Sequence, residues 1–225
     1  MANDIGFVID AVSSGLTVLV TLAFLRLWIR RREGIDLLFS IGMAAIALSF
    51  LLSTSTRLPG HGLPFRPLLA ANLSSRFAGV LVLLFTYISV RVHGSPRIWR
   101  ALGWASLTGA TLLALVYLFI VPGSESQSLR VALPYMNSFS AIGFGACSVL
   151  SFRGFLRHGA LDRVFVPAAF LCFGVSSYTF FLLDVTRGGV PLLAGLLWRL
   201  VGAGFLATAV LWPILKGRAK THATP

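Results

Sequence analysis

Charge is what this chain has least of. Only 12% of its 225 residues are Asp, Glu, Lys or Arg, about half the share usual in a soluble domain. The shortage falls on the acids: seven carboxylates stand against nineteen Lys and Arg, a formal net charge of +12. Lysine is confined to Lys216 and Lys220. The histidines, His61, His93, His158 and His222, all fall in expected loops or the tail. Cys147 and Cys172 both lie in apolar runs, so neither a disulfide framework nor a Cys metal motif can be built. Both read as small buried fillers.

Each shortage excludes something. A retinal Schiff base needs a lysine in the middle of the last helix, and none stands there. A haem axial ligand needs a histidine at mid-membrane depth, and none is available. No HExxH, GxSxG, Walker A or strand–helix GxGxxG pattern occurs, and with the histidines so placed no Ser–His–Asp set forms. The expectation is a protein without cofactor or metal and without enzymatic activity. The basic excess is not interleaved with aromatics as a nucleic-acid surface would be, so no nucleic acid is expected as a partner.

Apolar sequence fills the space. Hydrophobic residues make up 56% of the chain, and the mean hydropathy is +0.86. Apolar windows of roughly twenty residues recur from end to end, the length a helix needs to cross a bilayer. The expected fold is all-α, one transmembrane domain over residues 1–225, with seven spans at about 5–29, 36–56, 68–92, 97–121, 132–153, 163–186 and 190–215. Gly and Pro punctuate nearly every connection between them. Asp4 and Asp10 occupy the place of the basic segment that a cleavable signal peptide requires.

The basic residues orient the spans. The first, third and fifth connections with the tail carry Arg26, Arg30, Arg31, Arg32, Arg91, Arg97, Arg100, Arg153, Arg157, Arg163, Lys216, Arg218 and Lys220. The opposite side has only Arg57, Arg66, Arg130 and Arg187. The positive-inside rule then sets the N-terminus outside and the C-terminus in the cytoplasm of a bacterial inner membrane. The basic cytoplasmic face is expected to attract anionic lipids.

Arg76 and Arg199 remain, and both fall within spans. An arginine at a helix centre costs roughly 2.5–3.5 kcal/mol on insertion scales. Counting from Val190, Arg199 lies on the order of 13 Å deep in the seventh span, and Arg76 lies at a similar depth in the third. Asp10 and Asp184 are carboxylates at nearby levels. Ser13, Ser14, Thr17 and Thr21 share a face with Asp10 at three- and four-residue steps. Ser49, Ser53 and Thr56 line the outer half of the second span, and Ser176 and Ser177 lie in the sixth. A polar stripe on a membrane helix faces other helices or a water-filled cavity. The pattern predicts a polar pocket in the outer half of the bundle, built from Asp10, Asn72, Arg76, Tyr135, Asn137, Tyr178, Asp184 and Arg199. The arginines would hold an acidic group or an Asp, and the Tyr and Asn would supply orienting hydrogen bonds. Two Arg and two Asp cancel, which suits a zwitterionic, polar or amphiphilic small molecule.

A plainer reading stands beside that one. Ser and Thr in membrane helices often bond to their own backbone. Gly195, Gly202 and Gly204 beside Arg199, and the GFGAC stretch at 143–147, suit close helix packing. Asp184 with Arg199 reads equally as a staple fixing helix order or as part of a pocket. Pro134, Pro167 and Pro213 are expected near helix ends, and the two halves show no similarity, so the usual marks of a transporter are missing.

The run FLRLWIRRREGIDLLFSIGMAAIALSFLL, followed by an arginine within a helix in SSRFAGVLVLL, resembles bacterial membrane sensory regions. These are the seven-helix input domains that precede histidine kinases and diguanylate cyclases. The resemblance implies a ligand site in or outside the membrane with output through the cytoplasmic ends. Only KGRAKTHATP follows the seventh span, so output is expected to pass to a separate cytoplasmic or membrane protein. The expected function is that of a sensor-like, ligand-binding membrane module. A small-molecule transporter and a non-catalytic subunit of a larger membrane complex are the alternatives.

Overall fold

The computed structural model describes residues 2–55, 65–91, 97–98, 101–109, 112, 125–158, 164–186 and 189–221. Seven helical elements fill them: α1 (Ala2–Arg31), α2 (Gly34–Ser55), α3 (Phe65–Arg91), α4 (101–109), α5 (Glu125–His158), α6 (Phe165–Thr186) and α7 (Gly189–Thr221). The second half of the expected fourth span, the connection at 56–64 and the tail from 222 lie outside the described residues. So do His61, His93 and His222, while His158 is the last residue of α5.

Burial is inverted relative to a water-soluble protein. On α1, Asp10, Ser13, Ser14 and Thr17 have no exposed surface, whereas Ile5, Val8, Val12 and Leu19 are each about half exposed. The same contrast recurs on α7, where Arg199 is buried while Leu197, Trp198 and Val201 face outward. Polar groups inside and large apolar groups outside suit a hydrocarbon surround, because lipid leaves polar atoms no partner but each other. Among the described residues, five helices are long and apolar enough to cross a membrane, within α1, α2, α3, α6 and α7.

Six of the helices close into a ring. α1 packs on α2, α2 on α3, α3 on α5, α5 on α6, α6 on α7, and α7 returns to α1. The turn between α1 and α2 needs only Arg32 and Glu33. Arg32 adopts a left-handed φ of 58° and caps α1 by donating its N–H to the Trp28 carbonyl at 2.7 Å. Its guanidinium stands 5.4 Å from the Trp28 ring centre, a cation–π contact that offsets the backbone strain. α4 meets the ring at its own small residue, Gly103, beside Leu38 of α2.

Glycines set the closest crossings. A methyl group on Gly79 would come within 2.9 Å of the Gly42 carbonyl oxygen, and one on Gly202 within 3.0 Å of the Ala169 carbonyl oxygen. α2 and α3, and α6 and α7, therefore touch backbone to backbone, the packing that small residues permit in membranes. Gly143 instead faces the side chain of Val80, while Gly145 and Gly204 meet nothing within 4 Å. Cys147 and Cys172 are buried free thiols.

The ring interior has two levels. The level holding the starts of α2 and α6 is apolar: Phe39, Met43 and Ile46 pack with Leu83, Phe144, Phe170 and Leu206. Ring contacts form a continuous column there, Phe24–Phe39–Tyr87–Phe170–Phe173–Phe50. The level nearer the start of α1 is polar, and Phe50 and Phe173 form its floor.

Helix limits depart most from expectation at α5, predicted over 132–153 and observed over Glu125–His158. Polar segments flank its apolar stretch, and a helix runs on into water as readily as it ends there. The extension puts Pro134 inside the helix rather than near its end, where its missing N–H removes one backbone hydrogen bond. α7 likewise continues past Pro213 to Thr221.

Candidate functional site

Each of the six ring helices contributes a polar side chain to the upper level. From α7, Arg199 points inward and donates from Nη1 to Asp10 Oδ1 of α1 at 2.6 Å. Both side chains are almost wholly buried. The guanidinium also lies between two rings, 4.5 Å from the Phe50 centre and 4.8 Å from that of Phe180. A planar, weakly hydrated cation suits such a slot, which an ammonium would fill poorly. Ser53 of α2 donates to the other Asp10 oxygen at 3.4 Å.

Arg76 of α3 organises the second group. Its Nε donates to Ser49 Oγ of α2 at 3.2 Å, and its Nη1 donates to Asn137 Oδ1 of α5 at 2.9 Å. Ser49 donates in turn to Asn72 Oδ1 at 2.6 Å. Asn137 passes the chain on, its Nδ2 donating to Asp184 Oδ2 of α6 at 2.8 Å. The two partners fix the amide orientation, since only the oxygen can accept from arginine and only the nitrogen can donate to a carboxylate.

Between the two arginines lies a cavity of about 10 Å³, lined by Phe50, Arg76, Phe144, Phe173, Ser176, Ser177 and Arg199. That is roughly the room one water molecule needs. Ser176 turns away to donate to the Gly195 carbonyl at 2.7 Å.

The eight residues expected to form the pocket divide. The structure brings Asp10, Asn72, Arg76, Asn137, Asp184 and Arg199 together. Tyr135 and Tyr178 stand apart, 73% and 52% exposed on the outside of the bundle. Helical geometry gives the reason: Tyr135 is two residues from Asn137 and therefore on the opposite face, and Tyr178 stacks on Phe181. Arg199 pairs with Asp10 rather than with Asp184. The hydroxyls of α1 have local partners, Ser13, Ser14, Thr17 and Thr21 each donating to the carbonyl four residues back. Phe50, Phe180 and the cavity-lining Phe144 and Phe173 were not expected. Their role as π faces and apolar walls shows only once the cation beside them is placed.

Among the described residues no three His, Cys, Asp or Glu side chains gather into a metal-binding group. No protein-family model, curated protein or solved structure matches the chain.

Proposed function

We propose that the chain is a sensor-like membrane module without enzymatic activity, whose ligand site is the polar level between Arg76 and Arg199. It crosses a bacterial inner membrane seven times, with the N-terminus outside, so this level lies in the outer half. The observation that carries the reading is the pairing of two buried arginines with a cavity of about 10 Å³ between them, room for one water molecule or one small ion. Anything larger enters only by parting hydrogen bonds that link all six ring helices. Occupancy and helix arrangement are then the same equilibrium, as a sensor requires. The aromatic column below Phe50 gives a packed route toward the basic end of α1 and the start of α2. From there the output passes to a separate protein, on a face that also holds anionic lipid.

The test is thermal stability of the purified protein in detergent, across a library of small polar and zwitterionic molecules. A ligand for this site raises the melting temperature of the wild type and leaves folded Arg76→Gln and Asp184→Ala unmoved. A library without effect on the wild type, or one that stabilises all three proteins alike, removes the site.

One observation favours a second reading. Pro134 removes one hydrogen bond from the otherwise continuous α5 one turn before Asn137, and transporters weaken or break helices beside a buried polar site. That reading requires substrate flux into sealed liposomes, which a sensor does not produce.

A further inference from the structure

Two side chains at the cavity carry donors that no acceptor among the described residues uses. Arg76 is only 7% exposed, yet it forms no ion pair among the described residues, and no acceptor among them meets its Nη2. Ser177 is 5% exposed, and no acceptor among the described residues meets its Oγ. Its behaviour is unusual here, since Ser140 and Thr179 on the neighbouring faces each donate to a carbonyl of their own helix. Both Arg76 and Ser177 line the same cavity as Arg199.

Charge points the same way. Three ionisable groups are fully buried at this level: Asp10, Arg199 and Arg76. The first two neutralise each other at 2.6 Å. Asp184, the remaining carboxylate, is partly buried toward the end of α6 and reaches Arg76 only through Asn137. A buried guanidinium without a directly bonded anion is costly, and such groups are normally paired.

We propose that the cavity is a binding site for one monovalent, halide-sized anion, held by Arg76 and Ser177 with Arg199 on its far side. The proposal rests on the reading of this level as a ligand site and names the ligand class. Sulfate and phosphate are too large for a space of about 10 Å³ and carry more charge than Arg76 alone can offset. A water molecule fits the volume but gives Arg76 no directly bonded anion. Phe50, Phe144 and Phe173 wall the site and exclude the solvent that would otherwise screen it.

The experiment is a melting-temperature titration of the detergent-purified protein with sodium chloride and sodium bromide. Sodium gluconate, whose anion cannot enter, holds ionic strength constant. At a hundred times its Kd, a ligand should raise the melting temperature of a chain of this size by roughly 5–10 °C. The wild type should show a saturable rise with both halides and none with gluconate. Ser177→Ala, a mild change that keeps the fold, should weaken the apparent halide affinity about tenfold or more, and Arg76→Gln should abolish the rise. Bromide anomalous scattering from crystals should place one ion within 4 Å of Arg76. Equal melting in halide and gluconate, or an unchanged halide response in Ser177→Ala and Arg76→Gln, overturns the proposal in favour of water. If halide has no effect while an organic molecule still stabilises through Arg76, the anion assignment falls and the ligand site stands. If neither acts, both fall.

Discussion

Arg199 and Asp10 are the residues on which the polar level turns. The pair is fully desolvated, so its attraction and its desolvation cost are both large, and removing one partner strands the other. Arg199→Ala or Asp10→Ala should each lower stability by about 3–5 kcal/mol. The double substitution should cost clearly less than their sum, because no charge is then left alone. Unfolding in mixed detergent micelles measures this cycle, and strict additivity would mean that the two do not act as a pair. Arg199 in a membrane span was legible in the sequence, and so was its need for a carboxylate. Which carboxylate was not: Asp10, toward the start of α1, and Asp184, toward the end of α6, lie near the same level, and depth alone does not rank them. The choice follows from α7 packing against both α1 and α6, a fact of ring closure that no local pattern contains.

At the scale of the helices, the small residues decide how closely the ring can draw together, and so how small its central cavity is. A methyl group at Gly79 would meet Ile46 at 2.7 Å and the Gly42 carbonyl at 2.9 Å. The side chain can move but the carbonyl cannot without shifting a helix. Gly79→Ala should therefore destabilise the protein by about 1–3 kcal/mol, the usual range for overpacking. Gly145→Ala, which has open space, should be neutral or slightly stabilising through better helix propensity. Equal melting temperatures for the two variants would count against the backbone contact between α2 and α3. The helices themselves were readable, because a window of some twenty apolar residues has few alternatives. Their ends were less so. α5 extends at both ends into sequence whose polarity resembles a loop, and Pro134 consequently lies inside it. Tyr135 and Tyr178 were placed in the site by depth, when their faces turn them outward.

For the molecule as a whole, the ring sorts its chemistry by level, and the sign of the loops predicts which level meets which side of the membrane. All four charged members of the polar level lie on the side of α1's start, while the aromatic column descends toward Arg26 and Arg30. If the basic connections lie in the cytoplasm, the cavity faces the outside of the cell, and any ligand comes from there. Cysteine labelling tests this directly. With Cys147 and Cys172, both buried, replaced by Ala, a cysteine at Ala2→Cys should react with an impermeant maleimide in intact spheroplasts. One at Thr224→Cys should react only after lysis. The inverted result would place the same two arginines in the inner half of the bilayer. Their ligand would then be an intracellular one, and the basic connections would face outward, against the bias that normally orients short loops.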